Sequence, residues 1–395
     1  MDRAESWMQI ASTFAALIDA DGRAIPTQIA RHESNHVIVG CDLGNSAIKL
    51  VLRQANAPQL RLFRFESIYT PAATIRTGDD TTALRVFHNG AWSEWFWIDQ
   101  GDTVGGEALP IGATAERLAD PRTVDFLVGA LVVALEDSGW LPGDHTLWVG
   151  CGVPNEEVSR AGLIAETRQA LQQVRGQHFA AERRDATGAV TTWTLRIAEL
   201  VPAPQSLGSF FAWYHTLAGQ PAINDVDLVT VADLGGGHLS RFDVEIMRRP
   251  GQPPRFRGTG GILGEGMVVF ARELIALITA RYRVRLSETV ALRALMTRTV
   301  LVSGRRLPID DLIETATQTR GQSLFAALHP ILADHRRFLI VTGGGAACLH
   351  AELDARVTAA QRAPGTYLIV AAGLTSTLNA VGLFALALYT AQRES

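Results

Sequence analysis

Two short segments pair a strand-end aspartate with a turn of small residues: Asp42-Leu43-Gly44-Asn45-Ser46 and Asp233-Leu234-Gly235-Gly236-Gly237. Glycines at such a turn let the backbone approach a ligand and point N–H groups at it, which makes a nest for an anion. A carboxylate beside such a nest repels the anion unless a divalent cation lies between them. Mg²⁺ suits that place, because it takes one or two carboxylates and completes its shell with water and phosphate oxygens. Asp42 and Asp233 are therefore candidate metal ligands. Lys49 follows the first turn and is the only lysine in 395 residues, the other 35 of the 36 Lys plus Arg being arginine. An ammonium is a compact point charge able to reach between β- and γ-phosphates in a cramped turn, whereas a guanidinium needs room for its fork.

The elements that must position these groups read as strand, turn, strand in both places: "VIVGCDLGNSAIKLVLR" (37–53) and "DLVTVADLGGGHLSRFDVEIM" (227–247). The aspartates stand 191 positions apart (233 − 42), about half the chain. Self-similarity at half-length predicts a duplicated unit, with two like domains facing one another and gripping a magnesium polyphosphate from both sides. A single core stops growing beyond roughly 250–300 residues, so length alone also favours two domains.

Elsewhere, period and punctuation predict a helix over 5–20, a linker over 19–28 and a loop over 74–84. An Asn-Gly hairpin is expected within 85–98, where Trp92, Trp95, Phe96 and Trp97 form a satellite core or a contact patch. Helices are expected over 121–139, Asn155–Val174, 206–219 with a serine cap, 267–282 and 308–328. Strands are expected over 145–154 and 191–202. Residues 337–357 read as strand, glycine turn, helix. The uncharged stretch Pro364–Gln392 is long enough for a membrane span but is interrupted by polar residues; it reads as a buried strand over Tyr367–Ala372 and an apolar helix over Leu378–Ala391.

Net charge is −4, the apolar fraction 47% and the charged fraction 19%, so the whole molecule has no polyanion-binding signature and no direct nucleic-acid binding is expected. Cys41, Cys151 and Cys348 are odd in number, widely spaced and set in apolar runs; this argues against a disulfide framework or a zinc site and for a reducing cytoplasm. Residues 241–306 hold 13 arginines against five acids, a local excess of +8 (13 − 5). That segment reads either as a contact with an acidic partner or as a solvated face.

The ordered motifs resemble the actin-like ATPase superfamily. "DLGNSAIKL" is similar to its first phosphate loop, "DLGGGHLSRFDV" to its second and "VTGGGAACL" to its adenosine motif. "VGCGVP" resembles the strand end typical of the ParM/StbA-type plasmid-segregation actins. "VPAPQSLGSF" and "VAAGLTSTLNAVG" are similar to the two connectors. The resemblance implies an α/β fold of two duplicated RNase H-like domains with a nucleotide cleft between them. Domain I would span 37–215 with an insertion at about 73–125. Domain II would span 216–395 with an insertion at about 268–334, and its last helix, 378–391, would return to domain I. Residues 1–36 would be an N-terminal extension outside the common pattern.

Site roles follow from the same resemblance. Asp42 would hold Mg²⁺ through water. Gly44, Asn45, Ser46 and Lys49 would bind β- and γ-phosphates of ATP or ADP. Asp233 would lie near the metal and the attacking water, with Gly235, Gly236 and Gly237 cradling phosphate. Gln205 would orient the water; a neutral amide is a poor base, so slow turnover is expected. Gly343, Gly344 and Gly345 would lie against the nucleoside, and Gly260, Gly261, Gly264 and Glu265 near the base or ribose. His238 stands where the family carries Thr or Ser, and reads equally as a phosphate donor or a surface turn residue. The implied activity is an Mg-dependent ATPase that polymerises with itself into filaments, with a DNA-adaptor protein as a further partner and no membrane. A small-molecule kinase of the same fold, or a scaffold that binds nucleotide without hydrolysing it, are the alternatives.

Overall fold

The protein is described from a computed structural model, which covers residues 36–44, 47–53, 55, 60–72, 83–98, 107–110, 112–159, 162–214, 225–248, 255–360, 367–370 and 377–394. The helix and linker expected within 5–28, most of the 74–84 loop, Asn45 and Ser46 lie outside these residues. The chain divides into two compact units. The first holds the described residues up to 214 and from 377 on, the second those between 225 and 370.

In the first unit, β1 (His36–Leu43), β2 (Ala47–Arg53) and β3 (Leu60–Glu66) form an antiparallel meander. The short strands β4 (Ile68–Pro71), β5 (Ala83–His88), β6 (Ala91–Trp92), β7 (Phe96–Trp97) and β8 (Glu107–Ala108) precede helices α1 (Thr114–Ala119) and α2 (Pro121–Asp137). Strand β9 (Asp144–Val153) runs parallel to β1. A two-strand hairpin, β10 (Val158–Ser159) and β11 (Gly162–Leu163), leads to α3 (Ala165–Val174). The unit continues with β12 (His178–Arg184), β13 (Val190–Pro204) and α4 (Gln205–Tyr214). The main sheet runs β3-β2-β1-β9-β13-β12-β5-β7-β4-β8, with β6 paired to β5. β1 is buried at every residue but His36, as expected of a central strand covered on both faces.

In the second unit, β14 (Leu228–Leu234), β15 (His238–Met247) and β16 (Arg255–Glu265) repeat the meander. Helices α5 (Met267–Tyr282) and α6 (Glu288–Thr297) follow, then the hairpin β17 (Thr299–Val302) and β18 (Arg305–Pro308), and α7 (Asp310–Leu332). β19 (Arg337–Thr342), α8 (Gly344–Ala359) and β20 (Tyr367–Ile369) complete the unit. The chain ends in α9 (Leu378–Glu394), which belongs to the first unit.

The sheet order of the second unit is β16-β15-β14-β19-β20. Its three antiparallel and then two parallel strands match β3-β2-β1-β9-β13 in order and direction. The duplication read from the two Asp-Leu-Gly segments is therefore a duplication of topology, and both aspartates occupy the penultimate position of their unit's first strand.

α9 packs on β1, β9 and α4 at backbone distance. Gly40 and Gly150 are opposite each other in the β1–β9 register. A Cβ on Gly40 would meet the Ala380 carbonyl, and one on Gly150 the Leu383 carbonyl. In the same way a Cβ on Gly208 of α4 would meet the Asn379 carbonyl of α9, and one on Gly382 of α9 the Gly208 carbonyl. Among the described residues no helix is long and apolar enough to cross a membrane.

Two expectations need correction, and one helix was not foreseen. Asn155–Val174 is not one helix: a 3-10 turn (Asn155–Glu157) and the β10–β11 hairpin come before α3. The reason is that Asn155 and Glu157 are buried and spend their side chains on distant partners. α4 starts at Gln205, straight off Pro204, and the Ser206 hydroxyl accepts from Asn155 instead of serving as its cap. α6, capped by Ser287, was hidden within the arginine-rich segment. The aromatic cluster splits: Phe96 is in the core, while Trp92 and Trp95 flank the Arg85 guanidinium at 4.6 and 4.8 Å. In the arginine-rich segment Arg241, Arg248, Arg272, Arg281 and Arg298 pair with carboxylates of the same unit, as a solvated charged face would.

Candidate functional site

The first hairpin is closed by the Gly44 N–H, which donates to the Asp42 carbonyl at 3.0 Å. β2 then returns in a register that sets Lys49 opposite Asp42. The Lys49 ammonium lies 3.1 Å from Asp42 Oδ2, and the two side chains are 13% and 3% exposed. Asp42 Oδ1 is buried and has no hydrogen-bond partner. A buried acceptor left without a donor is costly, so this oxygen marks a place for a cation or its water. A Cβ on Gly44 would collide with the Ala47 carbonyl oxygen as well as with Lys49 Nζ, so the tight turn itself calls for glycine.

Gln205 stands at the same end of the sheet. Its Nε2 donates to the Leu43 carbonyl at 3.4 Å, and a Cβ on Gly152 would lie 3.1 Å from Gln205 Cγ and 3.5 Å from Asp42 Oδ1. The start of α4 is held by a reciprocal pair: Asn155 Nδ2 donates to Ser206 Oγ at 2.8 Å, and the Ser206 N–H donates to Asn155 Oδ1 at 3.3 Å. The first unit thus brings Asp42, Gly44, Lys49 and Gln205 together.

A residue not foreseen from the sequence joins them. Arg117 of α1 is 4% exposed, and its Nη1 donates to the Leu43 carbonyl. Its Nε and Nη2 are buried without partners. Burial pulls its pKa below the ordinary arginine value, with the nearby Asp42 charge acting in the other direction. Glu157 fixes the helix that carries it, accepting from the Thr114 N–H and the Thr167 hydroxyl, both at 2.6 Å. Beside Asp42, a hydrogen bond with Cys151 and burial hold the Cys41 thiol well above its usual range, in keeping with an inert packing role.

In the second unit the Gly235 N–H donates to the Asp233 carbonyl at 3.1 Å, repeating the closure of the first turn, and also to the His238 carbonyl at 3.0 Å. Ser240 takes the place opposite Asp233 that Lys49 takes opposite Asp42. The carbonyls of Gly237, Gly235 and Gly236 accept from the N–H groups of Gly266, Met267 and Val268, at 2.9, 3.0 and 2.9 Å. These bonds satisfy the first N–H donors of α5 and anchor the turn on it. Gly236, Gly237 and His238 are exposed.

Gly343 has φ +95°, and a Cβ there would collide with Asp233 Oδ1 and the Leu234 backbone. Gly345 packs against the side chains of Met267 and Leu234, while Gly344 faces open space. Glu265 pairs with His238 in the β15–β16 register. Asp233, Gly235, Gly236, Gly237, His238, Glu265 and Gly343–Gly345 thus gather at one end of the second sheet. Gly261 lies opposite Arg241, one register step beyond Ile262, the β16 partner of Ser240. Among the described residues no three His, Cys, Asp or Glu side chains could hold a metal between them. Any divalent ion would have to draw most of its shell from water and a ligand, as Mg²⁺ does.

No protein-family model and no curated protein sequence matches the chain. Solved structures do. The archaeal actin homologue Ta0583 superposes with a TM-score of 0.59 at 18% identity, covering 90% of this chain and 99% of its own. A non-polymerisable quadruple mutant of pCBH ParM gives 0.63 at 15%, covering 89% and 99%. Bacillus thuringiensis ParM with ATP gives 0.60 at 14%, covering 91% and 100%. The chain has the actin-like fold.

Proposed function

We infer that the protein binds ATP with Mg²⁺ through its two glycine hairpins, hydrolyses it slowly and assembles with copies of itself into filaments. The observation that carries this reading is the equivalence of Asp42 and Asp233. Each is the penultimate residue of the first strand of a like-ordered sheet, followed by a turn closed by the same Gly N–H to Asp carbonyl bond. In the first turn the Lys49 ammonium and the backbone serve the β- and γ-phosphates, and Asp42 Oδ1 fits a metal-bound water. In the second, the exposed turn residues Gly236 and Gly237 would offer backbone N–H groups to phosphate, and Asp233 would serve the metal and the attacking water. Gln205 orients that water without acting as a base. Bound Mg²⁺ would neutralise charge developing on the transferred phosphoryl group. ATP in Bacillus thuringiensis ParM and ADP in Ta0583 support the choice of nucleotide. Segregation of plasmid DNA through an adaptor protein is the cellular role this reading favours.

The test is purified protein with and without ATP and Mg²⁺, followed by light scattering, pelleting and phosphate release. Nucleotide-dependent pelleting with phosphate release is the expected result. Hydrolysis stimulated by a sugar or an acid without pelleting would make the protein a kinase of the same fold. Nucleotide binding with neither outcome would make it a scaffold.

A further inference from the structure

Beyond β13, one face of the first sheet is open to solvent. α2 packs on one side of β5 and β12. On the other side Phe87, Trp92 and Val190 are 36%, 39% and 49% exposed. The pairings Phe87–Trp92, Arg85–Glu182 and Arg184–Val190 set these residues on a single face. By strand alternation it continues the face on which α9 rests. The open part is built as a stack. Arg85 lies over Trp92 at 4.6 Å and over Trp95 at 4.8 Å, Arg184 covers Trp95 at 4.4 Å, and the Phe87 and Trp92 rings are 5.4 Å apart. Arg85 is paired with Glu182, while Arg184 has no carboxylate partner among the described residues. Cation–π stacking holds these groups in place before a partner arrives, and tryptophan and arginine are enriched where binding energy concentrates.

One segment of the chain matches this face in polarity, charge and reach. Residues 5–20 lie outside the described residues; their sequence sets Trp7, Ile10, Phe14, Leu17 and Ile18 on one side of a helix and Glu5, Gln9, Ser12 and Thr13 on the other. A helix of this length is marginal by itself and gains its stability from an apolar surface. Residues 1–21 hold four acids and one arginine, a net −3 (1 − 4), which suits the unpaired Arg184. The chain enters the sheet at His36, which shares a row with Thr146, Arg196 and His178. Glu182 and its partner Arg85 lie four residues further along, and β5 is four strands from β1. Those steps amount to roughly 13 Å and 19 Å, or about 23 Å in all, at typical strand spacings. The 15 residues 21–35 can span about 50 Å.

We propose that residues 5–20 dock as a helix on the open β5–β12 face of their own chain, with the apolar stripe on Phe87, Trp92 and Val190 and with Asp19 and Asp21 toward Arg184. Tethering favours this segment over that of a second copy, because a short linker gives an effective concentration in the millimolar range. The docking does not depend on the nucleotide-binding reading above.

Hydrogen exchange of the full chain tests it, with the parent set beside Phe14→Asp, Trp92→Asp and Arg184→Glu and the amides of β9 as the reference for global stability. In the parent, amides of 5–20 are expected to exchange about tenfold or more slowly than in a free peptide of the same sequence. Phe14→Asp should remove that protection and speed exchange over 83–97, and Trp92→Asp should remove it from 5–20, with β9 unchanged in both. Arg184→Glu should weaken the protection about twofold to fivefold, the scale of an exposed ion pair. If Trp92→Asp does not fold, Phe14→Asp decides the matter from outside the sheet: exchange over 83–97 equal to the parent's overturns the proposal. Exchange over 5–20 as fast in the parent as in the free peptide overturns it outright. Protection that survives Trp92→Asp does so too, since the helix would then lie elsewhere. Protection that appears only as protein concentration rises would put the segment on a second copy, which also overturns it.

Discussion

Lys49 sits opposite Asp42 in the β1–β2 register, with its ammonium 3.1 Å from the carboxylate Oδ2. Beneath it the turn is tight, because a Cβ on Gly44 would strike both Nζ and the Ala47 carbonyl oxygen. Lys49→Ala removes the point charge over the turn, and phosphate release should fall by about a hundredfold or more, as loss of a preorganised charge typically does. Lys49→Arg should not restore it, since a guanidinium is a larger planar fork in place of a compact point charge. Phosphate-release assays on both variants check this; an active Lys49→Arg protein would count against the steric account.

Gln205 is held by its place at the start of α4 and only weakly by its own amide, at 3.4 Å from the Leu43 carbonyl. A residue that orients water without binding the nucleotide should separate binding from turnover. Gln205→Ala is expected to lower kcat about tenfold or more with ATP affinity within about threefold of the parent. Single-turnover hydrolysis set beside equilibrium titration would read the two apart.

Gly150 lies under the Leu383 carbonyl of α9, with no space for a side chain. Gly150→Ala must push the helix off the sheet or shift the strand, at a cost of about 1–3 kcal/mol or more. Urea unfolding should show a lower midpoint.

Asp125, buried on α2, faces His88 Nε2 at 3.0 Å, with Asp120 and Tyr69 also near. Burial first, and then the Asp120 charge, push its pKa up to about 7. Burial lowers that of His88. The folded chain therefore keeps a proton on Asp125 that the unfolded chain releases near pH 4. This group's contribution to stability is full below about pH 4 and is lost as the pH rises toward 7. His88 acts in the other direction, its contribution fading as the pH falls below about 6.5. Asp125→Asn removes the first effect alone. The parent should lose stability relative to Asp125→Asn between pH 5 and 7.5, measured by urea unfolding across that range. Parallel curves would show that Asp125 is ionised in the folded protein.

Much of the fold was legible because its signals are local. Each hairpin is one contiguous stretch in which apolar strands flank an Asp-Leu-Gly turn, and the pairing of neighbouring strands follows from the turn itself. One further signal stood in plain view: Val-Gly-Cys occurs at 39–41 and again at 149–151. In the structure the two tripeptides lie side by side, Val39 with Val149, Gly40 with Gly150 and Cys41 with Cys151. The repeat marks the glycine floor on which α9 rests. The helix misread over Asn155–Val174 had the reverse problem, since the partners of Asn155 and Glu157 are Ser206, Thr114 and Thr167, far away along the chain.

The sequence by itself determined the two acid-and-glycine turns, the lone lysine and the doubling of the unit, since all three depend on residue type and short spacing. Tertiary structure alone decided which of 35 arginines is buried behind the first turn and which carboxylate oxygen is left without a donor. Those outcomes depend on contacts between residues tens to hundreds of positions apart, and burial changes the chemistry of a side chain whose letter stays the same.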